Sequence, residues 1–184
     1  MIDKSDFRAV RKELEKQEEE RESTIQKSRE IIKLSKQIIY SLHRNDLRVA
    51  ESKASEIKNK IKNLGLDSET QIHKTAMQEY VEALTYLGFV KNKKIPTKKS
   101  LNVGAEAYLC GLCDLTGELV RKSVNLAINK DFNEAIKIKK LVEEVYGEML
   151  NFDFRNSELR RKFDAIKYNL KKLEDLEYEI KMRK

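Results

Sequence analysis

Proline occurs once in this chain of 184 residues, at Pro96, and glycine only six times. With so few breakers, long stretches can be regular only as helices, and a many-turned β architecture is disfavoured. Apolar residues make up 40% of the chain and charged residues 38%. The first fraction is enough for a core, and the second suits long helices with solvated faces. The expectation is an all-α fold, a single-domain antiparallel helical bundle over residues 1–184 with six to seven helices, six of which can be traced.

The first helix is predicted from Lys4 to His43. Its stretch from Glu15 to Glu22 has no apolar residue and should be solvated on all sides. Further on, Ile31, Leu34, Ile38 and Leu42 recur at helical spacing. Asn45 and Asp46 break and recap the chain. The second helix is predicted to reach Leu64 and stop at Gly65, a suitable C′ residue. Asp67 and Ser68 offer caps for a third helix reaching Lys91. Residues 91–99 carry five lysines in nine positions and read as the main linker. The fourth helix should cover Val103 to Ile128, the fifth should run from beyond Asp131 to Leu150, and the sixth from Asn156 to Met182. Along the last, Leu159, Phe163, Ile166, Leu170, Leu173 and Ile180 form a coiled-coil-like seam. That seam serves either packing within one molecule or contact between subunits.

The formal net charge of +7 and pI near 9.2 favour an anionic partner. No run of about 18 apolar residues exists to span a bilayer, and the first residues carry no apolar run of signal-peptide length. No membrane association and a cytoplasmic location are therefore expected. Cys110 and Cys113, the only cysteines, exclude a disulfide framework. Their spacing lies inside an apolar helix with no second pair to complete a zinc site, so they read as packing. His43 and His73 stand isolated in sequence, and no phosphate-binding glycine loop is present.

Two acidic patterns carry chemical interest. Asp114, Glu118, Arg121 and Asn125 form one polar stripe on the otherwise apolar fourth helix. Gly111 and Gly117 beside it permit close approach by a neighbour. The stripe is either an internal network in which Glu118 and Arg121 satisfy each other, or the wall of a cleft. On the third helix Glu79 and Glu82 share a face, which alone reads as an ordinary solvated side. Helices joined by a short linker are normally antiparallel neighbours, so the four carboxylates can converge. Such a cluster needs cations, and an oxygen-only set suits Mg²⁺ or Mn²⁺. A metal held there is what metal-assisted phosphodiester cleavage requires. Arg29, Lys33 and Lys36 share a face of the first helix, and Lys91, Lys93 and Lys94 open the linker. Any one of them is an ordinary surface charge; their clustering points to phosphate contact.

Four stretches resemble the translin family: Gln26 to Arg44 with its Ser-Arg-acidic-Ile and Leu-His-Arg elements, Gln78 to Ala83, Tyr108 to Arg121, and Leu159 to Lys172. The Tyr-Leu-x-Gly-Leu-x-Asp-Leu-Thr-Gly-Glu pattern at 108–118 is the most specific. The resemblance runs from about residue 24 to the end. It implies a bundle of about seven helices that assembles into closed homo-oligomeric shells, octamers or similar, and binds single-stranded RNA and DNA. In the family's factor X branch it implies a Mg²⁺-dependent endoribonuclease site, carried over here onto Glu79, Glu82 and Asp114, with Glu118 as a fourth member. The linker is shorter than in that branch, Cys113 replaces a small residue, and the last helix is more like translin itself. A self-sufficient homo-oligomeric nuclease and a non-catalytic binder with a vestigial site are the two readings left.

Overall fold

The structure is a computed structural model that describes residues 2–62, 70–155 and 157–182. Within them lie seven helices: α1 (Lys4–His43), α2 (Leu47–Lys62), α3 (Gln71–Asn92), α4 (Lys98–Leu101), α5 (Ala105–Ile128), α6 (Phe132–Met149) and α7 (Glu158–Met182). The described residues form no strand. The helix added to the six traced from sequence is α4, a single turn inside the lysine-rich linker. Thr97 caps it by accepting from the Ser100 amide at 3.2 Å.

Local chemistry sets the boundaries. Asn45 takes a left-handed conformation with φ of 60°, and the Asp46 carboxylate accepts from the Val49 amide at 3.1 Å to start α2. Thr70 caps α3. The expected caps Asp67 and Ser68, like the expected stop at Leu64 and Gly65, lie outside the described residues. So does Asn156, the expected start of the last helix.

The segment between α3 and α5 decides how the bundle is wound. Pro96 lies so close to Gly88 that a Cβ there would sit 2.6 Å from the proline ring. Leu101 is buried beyond it, and Val103 to Ala107 line one recess with His73 to Gln78. The segment therefore doubles back along α3, and α5 starts beside the first turns of α3. The twelve residues between the two helices, extended on either side of the single turn α4, carry the chain back along the 22-residue α3. The two helices run in the same direction, where short-linker reasoning expected an antiparallel pair. Lys36 to Glu79 at 3.9 Å and His43 to Tyr86 at 3.3 Å show that α1 and α3 also run together. Asn169 on Thr116 at 2.8 Å, with Lys162 on Asp114, sets α7 along α5. The returns are antiparallel: α2 along α1 through Lys60 and Glu30 at 2.8 Å, and α6 between α5 and α7.

Gly111 lets α3 and α5 approach closely. A Cβ there would meet the Val81 side chain at 2.6 Å and the Gln78 carbonyl at 2.8 Å. As the central helix, α3 is buried along most of its surface, from Met77 to Phe89. The α7 seam is internal: Leu159, Phe163, Ile166 and Leu173 join the main core, and Ile180 is buried too. The bundle holds α1 only from about Ser28 onward, and residues 4–23 are exposed on every side. That arm still carries Phe7, Val10 and Leu14 along one face. No helix among the described residues is long and apolar enough to cross a membrane.

Candidate acidic site

The four carboxylates singled out in the sequence come together. Glu79 and Glu82 project from α3 toward Asp114 and Glu118 on α5, and all four are partly buried, with Glu79 at 23% and Asp114 at 28% side-chain exposure. They sit close enough to act on one another. Burial raises the Glu79 pKa, Lys36 opposes it, and Asp114 and Glu118 add to the rise. Burial pushes Glu82 up to about 8, reinforced by the charges of Asp114, Glu79 and Glu118. Among the described residues, no cation or donor contacts the Glu82 carboxylate.

The other three have partners, and two of those partners were not read from the sequence. Glu118 is bonded to Nε2 of His43, whose side chain is only 4% exposed. A carboxylate there calls for a hydrogen on Nε2, and the other ring nitrogen, Nδ1, meets the Tyr86 hydroxyl at 3.3 Å. Burial raises the Tyr86 pKa further above its ordinary value, so the hydroxyl keeps its proton. His43 is thus not isolated but ties α1 and α3 to the α5 stripe. Arg121, the partner of Glu118 under the internal-network reading of the stripe, is exposed and makes no ion pair with it. The signal for His43 was spacing, since it lies seven residues after Lys36 on the same face of α1.

Lys162 of α7 is the second unpredicted member. Its ammonium donates to Oδ2 of Asp114 and lies 3.8 Å from Glu158. Burial raises the Asp114 pKa, and Lys162 holds it back. Burial works against the Lys162 charge, but the Asp114 pair outweighs it, and the lysine pKa ends above its usual value. Lys162 stands one turn after Leu159, at the margin of the apolar seam, where a lysine ordinarily reads as a solvated flank. No three His, Cys, Asp or Glu side chains among the described residues stand in metal-ligand geometry.

The basic residues divide between two places. Arg29, Lys33 and Lys36 are exposed on α1, and Lys36 reaches Glu79 at the mouth of the acidic recess. Lys91, Lys93 and Lys94 lie toward the other end of α3, roughly 18 Å along the helix from Glu79. Lys91 is paired with Glu51 and Lys93 with Glu134 at 3.0 Å, while Lys94 is exposed. Lys122, which bonds Asn45 at 2.8 Å, adds a positive charge near Lys93. The two cysteines are buried, with thiols pushed up to about 12, so they pack as expected. His73 is buried in the first turn of α3.

Fold and recess together define a class of all-helical protein in which like-directed helices carry an acidic cleft beside a basic helix face. The chain belongs to the Translin family, whose model matches residues 19–184. It is 26% identical to translin-associated protein X of Mus musculus, over 96% of this chain and 78% of the relative. It is 32% identical to an uncharacterised protein of Methanocaldococcus jannaschii, over 83% of this chain and 72% of that one. Among solved structures it resembles apo-NeC3PO with a TM-score of 0.86 and 31% identity, covering 98% of both chains. It also resembles the chain in the AfC3PO–duplex RNA complex, with a TM-score of 0.89, 24% identity and 97% coverage of both chains, a likeness of fold.

Proposed function

We propose that this chain binds RNA, assembles as a homo-oligomer, and cleaves single-stranded RNA with a divalent cation, Mg²⁺ or Mn²⁺, at Glu79, Glu82, Asp114 and Glu118. The observation that carries the reading is the convergence of four part-buried carboxylates from α3 and α5, one of them, Glu82, with no neutralising partner. An all-oxygen donor set of this kind fits a hard divalent cation. Bound there, the ion would supply an activated water and neutralise charge on the phosphate. The chain's own residues do the rest. The four carboxylates hold and orient, His43 fixes the rotamer of Glu118, and Arg29, Lys33 and Lys36 lead a phosphodiester backbone to the mouth of the recess. Hydrolysis joins a water oxygen to phosphorus, breaks the bond to the leaving ribose oxygen, and leaves one water proton on that oxygen.

Family membership supports the binding half of the reading, as do the solved relatives, one of them a complex with duplex RNA. The same comparisons support assembly into larger particles, for which an octamer is the proposed form; single-stranded DNA is proposed as a second ligand and the cytoplasm as the location. A non-catalytic binder is the second reading. Its specific support is that Asp114, Glu118 and Glu79 are all turned to Lys162, His43 and Lys36.

The two readings separate in one assay. Labelled single-stranded RNA should be cut with Mg²⁺ or Mn²⁺ and left whole in EDTA. Cutting that persists in EDTA sinks the metal reading, and no cutting under any metal leaves the binder. Binding has its own measure. The logarithm of affinity should fall steeply with the logarithm of salt, at about 0.7 per phosphate neutralised on a single strand. Lys33→Ala should lessen the slope by about that amount and leave sequence preference unchanged. A slope that does not move would remove α1 from the binding face.

A further inference from the structure

We propose that Lys162 is an exchangeable occupant of the acidic recess: it holds Asp114 when no divalent ion is bound, and turns to the RNA phosphate when one is. The inference rests on the metal-dependent reading above. Lys162 enters from α7, the wall that supplies none of the four carboxylates, and its ammonium contacts Oδ2 of Asp114. Glu79 and Glu82 also feel its charge, so it lies within electrostatic reach of the whole cluster. A divalent ion ligated by that same oxygen and an ammonium cannot both occupy the position. Their charges repel at ligating distance. Entry of the ion at that oxygen therefore displaces the Lys162 ammonium from Asp114.

The released ammonium does not leave. Glu158, one helical turn earlier on α7, lies 3.8 Å from it and forms an i,i+4 pair. The lysine side chain is 24% exposed, so its end can swing toward solvent without disturbing the seam beneath. Leu159 and Phe163, which flank Lys162 at spacings of three and one, are both buried and fix its backbone. The ammonium is then left beside the occupied recess, where a phosphodiester drawn to the cation has to lie. One residue thus has two effects of opposite sign. It competes with the ion in the resting protein and adds positive charge to the phosphate in the complex.

The test is a calorimetric titration with Mn²⁺ alone, paired with single-turnover RNA cleavage at saturating Mn²⁺. Wild type, Lys162→Met, Lys162→Arg, Lys36→Met and Asp114→Asn are compared, each first checked for its helical melt. Lys162→Met should bind Mn²⁺ about tenfold or more tightly yet cleave about 10²-fold more slowly. Lys36→Met, removing a charge at the exposed mouth, should shift Mn²⁺ affinity far less. Lys162→Arg should keep near wild-type affinity and part of the rate, and it carries the test if the methionine variant does not fold. Unchanged or weaker Mn²⁺ binding in folded Lys162→Met overturns the exchange. Tighter binding with undiminished cleavage overturns the phosphate role. In both cases Mn²⁺ binding by wild type and its loss in Asp114→Asn keep the metal reading standing. Wild type that binds no Mn²⁺ ends that reading, and this inference with it.

Discussion

Asp114→Asn and Glu82→Gln should each slow RNA cleavage by about 10²–10³, which corresponds to losing about 2.7–4 kcal/mol of transition-state stabilisation. The amide keeps the shape of the side chain and removes the negative charge that would hold a cation. RNA affinity should survive in both variants, because Arg29 and Lys33 sit on the outer face of α1. The two variants should differ in stability. Glu82→Gln removes a buried carboxylate on which three like charges act and which no cation among the described residues contacts, so its melting temperature should hold or rise. Asp114→Asn leaves Lys162 half-buried with Glu158 as its remaining contact, so it should melt lower. Double amide variants that still cut at the wild-type rate would place the chemistry elsewhere.

The second large effect is on stability against pH. Glu82 is held at about 8 in the folded protein against an ordinary 4.5. Below pH 4.5 it carries its proton in both states and costs nothing. Between 4.5 and 8 the unfolded chain gives the proton up while the folded protein keeps it, so stability falls as pH rises through this window. The whole gap corresponds to on the order of 5 kcal/mol, with Glu79 and Asp114 shifted in the same direction. Chemical denaturation in a metal-free buffer should show the decline flattening above about pH 8. Glu82→Gln should remove most of it, and millimolar Mn²⁺ should restore stability at pH 8 in wild type alone. A wild-type curve that is flat between pH 5 and 8 would mean the carboxylates do not share one recess.

Much of this arrangement was legible because it rests on local rules. Breaker scarcity and the 3.6-residue stripes located the helices, and a polar stripe on an apolar helix marked α5 as one side of something. The carboxylates were readable because their spacing on each helix is a within-helix property. The missing parts are relations between helices. The direction of α5 depends on a linker that returns along α3, and Pro96 packing on Gly88 has no signature in spacing. Convergence held even though the antiparallel premise did not, because Gly111 meets Val81 at the same level as Glu79 and Glu82. His43 and Lys162 were missed for the same reason. Each is one charged or polar group on its own helix, and each acquires meaning only from Glu118 or Asp114 across a packing interface. The α7 seam was ambiguous from sequence, because internal and intersubunit packing ask for the same apolar pattern.

The exposed first half of α1 has a consequence for how the molecule breathes. From Lys4 to about Ser23 its backbone bonds are backed only by pairs along its own surface, such as Lys16 with Glu20 and Arg21 with Glu18. Pairs of that kind contribute a few tenths of a kcal/mol each, and a helix of this length without tertiary support is marginal in water. From Ile31 to Leu42 the same helix can open only by uncovering the core. One continuous rod therefore spans nearly the full range of local opening free energies in a single protomer. Its amides should exchange with solvent freely at one end and only on global unfolding at the other. Whatever covers Phe7, Val10 and Leu14 in an assembled particle would shift that boundary toward the N-terminus.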